Sequence, residues 1–156
     1  MKHVRATFSL VDEMMASPTE PLRRDLRVHQ LTLMWQALAS IESGPNPTAS
    51  DWRYCSDAVN LMESLVEMGV VEDRSGLLID AITGLALAGK RATSGQSIRL
   101  DGPGMRAVRA VLDDYAEIIA TVSARTVIRC HRRTERRIRE ILAGHGRSKD
   151  VEVINL

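Results

Sequence analysis

The feature that most constrains this chain is an apolar seam near its end that keeps one phase, breaks it and resumes in another. Met105, Val108, Leu112, Tyr115, Ile119 and Val122 follow one another at intervals of three or four, the spacing that places side chains on one face of an α-helix. From Val122 to Val127 the interval is five, after which Val127, His131, Thr134, Ile138 and Ile141 restore it. One straight helix would carry these two seams on different faces. The spacing therefore predicts two helices, a bent or hairpin pair, joined over Thr121 to Arg125 with Ser123 as the N-cap of the second. A single continuous helix is the alternative.

The rest of the chain has the same grammar. A weak apolar cluster, Phe8, Leu10, Val11, Met14 and Met15, predicts a short first helix closed by Ser17-Pro18. Thr19 as N-cap with Pro21 in the first turn predicts a second helix reaching Ser43, before the Gly44-Pro45-Asn46-Pro47 stop. From Leu31 onward its apolar residues cover nearly the whole circumference, so this helix is expected to be central. Ser50 is read as the cap of a third, amphipathic helix to Met68, closed by Gly69. A fourth, from Asp73 to Arg91, places Ala81, Gly84 and Ala88 at helical spacing, where small side chains let a neighbour approach closely. Residues 92–102 read as the longest loop, and Asp101 with Pro103 as the start of the fifth helix.

The expected architecture is all-α: a compact bundle of five to six helices forming a single domain over 1–143, followed by a tail over 144–156. Only five of the 156 residues are aromatic (one Phe, two Trp, two Tyr), so aliphatic side chains fill the core, and their types favour helix over sheet. In the tail, Val151, Val153 and Leu156 alternate with polar residues. That pattern reads as a disordered terminus, with strand addition to a partner as the alternative.

The second phase of the seam carries the chain's most polarised surface. Opposite Val127, His131 and Ile138 lie Arg125, Arg129, Arg132, Arg136 and Arg139, flanked by Arg133 and Arg137, with Glu135 the single acid inside the run. All seven cations are arginine, whose planar fork of five donors suits bidentate pairing with carboxylate or phosphate. The stripe is read either as a partner-binding face or as a solvated helix face with local ion pairs. Asp57, Glu63 and Glu67 on the third helix could cover it within the fold.

Charge bounds the choice of partner. Residues 1–100 carry 10 basic and 12 acidic side chains and residues 101–156 carry 11 and 8, giving about −2 and +3. The pI of 7.9 lies below the range above about 9 typical of dedicated nucleic-acid binders. The late arginines could still track phosphates. However, the chain lacks the short glycine-containing turn of a compact helix-turn-helix and the aromatic interleaving of a single-strand binder.

No catalytic motif stands out. Cys55 and Cys130 form no CxxC and read as buried thiols. Cys130 and His131 are adjacent on a helix and point about 100° apart, so they form no dyad. Of His3, His29, His131 and His145, the second and third lie near apolar faces and are expected to be able to meet in the core, as structural histidines rather than ligands. No Walker loop, GxGxxG, HExxH or GxSxG is present. The expectation is therefore no enzyme, no cofactor and no metal. The N-terminus lacks a signal-peptide core, and no run approaches the roughly 18 apolar residues of a membrane span. A cytoplasmic protein without a membrane partner is expected.

LDGPGMRAVRAVLDDYAEII, followed by RTVIRCHRRTERRIREIL, resembles segments of short helical proteins carried by phages and other mobile elements of Gram-negative bacteria. The resemblance covers the last third of the chain and implies a setting in which such proteins bind and disable a host machine, as anti-CRISPR proteins do. The functional expectation is a protein-binding accessory protein that engages a host or element-encoded complex through Arg125, Arg129, Arg132, Arg133, Arg136, Arg137 and Arg139. The apolar seams also allow a homodimer. The alternative is a nucleic-acid-binding regulator that uses the same helix on phosphates.

Overall fold

The computed structural model describes residues 7–144, and within them six helices and no strand. They are α1 (Leu10–Met15), α2 (Arg24–Ser43), α3 (Ala49–Glu67), α4 (Leu78–Thr93), α5 (Gly102–Ile118) and α6 (Ala124–Leu142). The all-α expectation is met. The tail beyond residue 144 lies outside the described residues, as do His3 and His145. No helix among the described residues is long and apolar enough to cross a membrane.

The phase break sits where the seam places it. The Asp101 carboxylate accepts from the Gly104 amide at 2.7 Å and starts α5, while the Ser123 hydroxyl accepts from the Thr126 amide at 3.2 Å and starts α6. α5 and α6 are two helices, as the phase break predicts, and both pack on α3.

Three starts differ from the sequence reading. Thr19 does not cap α2, because residues 17–21 form a bent strap, in which the Ser17 hydroxyl accepts from the Glu20 amide at 2.9 Å, that lies across the start of α6. There the Glu20 carbonyl accepts from the Ala124 amide at 2.8 Å and Pro21 bridges to Ser123. Thr48, not Ser50, caps α3. Its hydroxyl accepts from the Asp51 amide and the Asp51 carboxylate accepts from the Thr48 amide, a reciprocal capping box. α4 likewise begins at Leu78 rather than Asp73, because Asp73 accepts from the Leu78 amide at 3.2 Å across an intervening turn.

The central helix is α3, not α2. α3 packs on α2, α4, α5 and α6 and buries a continuous stripe that includes Cys55, Val59, Met62 and Leu65. α2 buries only Met34, Ala37, Leu38 and Ile41 and leaves Leu26 and Val28 exposed. An all-round apolar helix is buried only if neighbours reach every side, and here α3 and α5 cover one. The small-residue reading of α4 is met: Ala81 and Ala88 are fully buried, and a Cβ on Gly84 would come within 3.0 Å of the Gly104 Cα on α5. A second, smaller apolar cluster joins Leu22 to Ala124, Val127 and Ile128, with Phe8 and Ala16 packed against it.

Candidate functional site

α6 is anchored by its first half. Ala124, Val127, Ile128 and Cys130 are buried, and no residue from His131 to Leu142 is. Leu142, placed on the core side by its spacing, is exposed. The Cys130 thiol donates to the Leu61 carbonyl at 3.3 Å. Burial pushes this thiol up to about 11, and that of Cys55 up to about 12, so both are poor nucleophiles. Thr134 donates to the Cys130 carbonyl at 3.0 Å, which leaves Ser64 as the donor in the 2.6 Å contact between the two hydroxyls. This contact ties α6 to α3 where the apolar contact thins.

The seven arginines do not form one open stripe. Arg125, Arg129 and Arg132 turn toward α1. Arg125 donates to the carbonyls of Met14 and Ala16 at 3.1 and 3.2 Å. Arg129 reaches the Glu13 carboxylate at 2.9 Å, and Arg132 binds its other oxygen. Hydrogen bonds from Arg129 and then Arg132 hold the Glu13 carboxyl below its ordinary range. Arg133 and Arg137 turn toward the end of α3, pairing with Glu67 at 3.3 and 3.2 Å, and Arg137 also reaches Glu63 at 3.2 Å. Arg139 pairs with Glu135 one turn back at 3.8 Å. Arg136 is exposed and makes no ion pair among the described residues. The sequence points to Asp57, Glu63 and Glu67 as covering groups; Glu63 and Glu67 take that role, Asp57 makes no ion pair with the α6 arginines among the described residues, and Glu13 is not legible in the sequence. Its role depends on α1 docking from more than a hundred residues away.

The two histidines expected to be able to meet do not. His29 is exposed on α2, which makes no contact with α6. His131 lies under the N-terminal segment, with Phe8 edge-on at 5.2 Å and an interplanar angle of 63°. Its Nε2 is buried without a hydrogen-bond partner. Burial lowers its pKa to about 4, against a weaker opposing pull from Glu135, so the ring is neutral at pH 7. Among the described residues no group of three His, Cys, Asp or Glu side chains is placed to hold a metal ion.

No protein-family model matches this chain, and neither a curated protein nor a solved structure is significantly similar to it.

Proposed function

We propose that the chain is a protein-binding accessory protein that acts by occupancy rather than catalysis, and that α6 engages an acidic surface of its partner. The observation that carries this reading is the set of groups the arginines already take. Among the described residues, the α6 arginines pair with the carboxylates of Glu13, Glu63, Glu67 and Glu135. The face still has exposed guanidinium surface, since the side chains of Arg129 and Arg133 stay 55% and 42% exposed. Arginine left with donors to spare is the residue type that gains most from an incoming carboxylate.

The same four carboxylates interleave with the cations and interrupt the continuous positive field a phosphate backbone requires, so the protein reading stands ahead of the nucleic-acid one. With the resemblance of its last third to mobile-element proteins, we extend the proposal to a cytoplasmic inhibitor of a defence complex in a Gram-negative host. The test is affinity capture from such a lysate, with and without nuclease, using the wild-type chain and Arg133→Gln/Arg136→Gln. A discrete protein complex that survives nuclease and is lost with the variant is expected. Retention of nucleic acid alone, or loss of every protein after nuclease, would overturn the reading.

A further inference from the structure

α1 differs from every other helix here in packing against a single element, α6. None of its six residues is buried, and Leu10, Val11, Met14 and Met15 are more than half exposed. Beside the packing of Phe8 and Ala16 on the smaller apolar cluster, what holds the segment is a short set of directed contacts to α6. The Thr7 amide donates to Glu135 at 2.8 Å, Phe8 lies against His131, Glu13 enters the fork of Arg129 and Arg132, and the closing carbonyls of α1 and its cap sit on Arg125.

The next segment is fixed independently. The Ser17 carbonyl accepts from the Arg125 amide at 3.0 Å and that of Glu20 from the Ala124 amide at 2.8 Å. The backbone leaves the helix at Ala16 in an extended conformation. Residues 7–16 can therefore detach about Ala16 while the strap over 17–21 stays seated, and the main apolar cluster contains none of them.

We propose that residues 7–16 are a displaceable cover on a partner-binding surface of α6, seated where an acidic amphipathic segment of another protein binds. The cover shows the chemistry the surface takes. A carboxylate bridges Arg129 and Arg132, an aromatic ring lies over His131, and the carbonyl end of a short helix meets Arg125. This inference rests on the reading of α6 as the binding helix and adds the class of ligand and the regulation. A tethered segment competes at an effective concentration of roughly millimolar. A free segment of similar affinity therefore fails against the closed chain and succeeds against the open one.

The test uses the full chain and a labelled peptide of its own residues 7–18, TFSLVDEMMASP. Phe8→Ala/Glu13→Gln and the harsher Phe8→Asp/Glu13→Arg open the cover, with hydrogen exchange of the amides over 10–16 reporting the opening. Fluorescence polarisation is expected to show the peptide binding an opened chain at least about tenfold tighter than wild type. That gain should be lost when Arg129→Ala/Arg132→Ala is added or when the peptide carries Glu13→Gln. Protection of 10–16 that persists in both variants overturns the proposal, as does an opened chain that binds the peptide no better than wild type. Because the peptide assay involves no host protein, its failure beside a successful lysate capture removes this inference alone. The converse result removes the host-protein reading and leaves residues 7–16 as a displaceable cover that an acidic amphipathic segment can replace.

Discussion

Acidification should weaken the fold through His131, and the size of the effect follows from its surroundings. The ring is neutral and desolvated, with a pKa lowered from 6.5 to about 4. Between those values the unfolded chain binds a proton that the folded chain does not, so stability is full above about pH 6.5 and declines as pH falls toward 4. At about 1.4 kcal/mol per pH unit, the whole interval amounts to roughly 3 kcal/mol. Release of residues 7–16 sets a ceiling on that loss. Once Phe8 lifts away, the ring can charge in water, and the cost becomes the docking energy of the segment. His131→Phe removes the titration and the unpaired Nε2 and keeps a flat ring against Phe8. Urea midpoints of both chains at pH 7.5, 6.5, 5.5 and 4.5 isolate the term, since every other titrating group is common to the two. Wild type should lose about 1 to 3 kcal/mol more than the variant across that range. Parallel pH profiles would show that His131 already titrates freely in the folded chain, and would refute the argument from burial.

Four further outcomes test the packing. Gly84→Ala gains helix propensity but forces α4 from α5 at the Gly104 backbone, and should destabilise by about 1 to 2 kcal/mol in denaturant melts. Gly102→Ala, whose nearest neighbour is the flexible Arg106 guanidinium at 3.6 Å, should be no less stable than wild type. Thr134→Val strands the buried Ser64 hydroxyl at a cost of about 1 to 2 kcal/mol, most of which Ser64→Ala should restore in a double-mutant cycle. Cys55 and Cys130 should resist a water-soluble thiol reagent at pH 8 until denaturant is added, and rapid native labelling would contradict their burial.

By itself the sequence determined what is decided within a few residues. Asp101 and Ser123 start their helices because a capping oxygen needs only the amide three positions on. The five-residue interval after Val122 breaks the rod because helical phase is local. Thr48 is equally legible as Thr-x-x-Asp, two positions before the competing cap at Ser50. Other features belong to the tertiary structure. Residues 17–21 became a strap because the start of α6 offers them amides 100 residues away. α3 became central and α2 peripheral because periodicity reports which side chains seek burial, not which neighbours arrive to bury them. The arginine run shows the same division most plainly. Its charge, periodicity and amphipathic pattern are written in the chain, but its splitting between Glu13 on one flank and Glu63 and Glu67 on the other was decided by the docking of α1 and α3. Coulomb attraction depends on distance in space, and that distance exists only once the helices have packed.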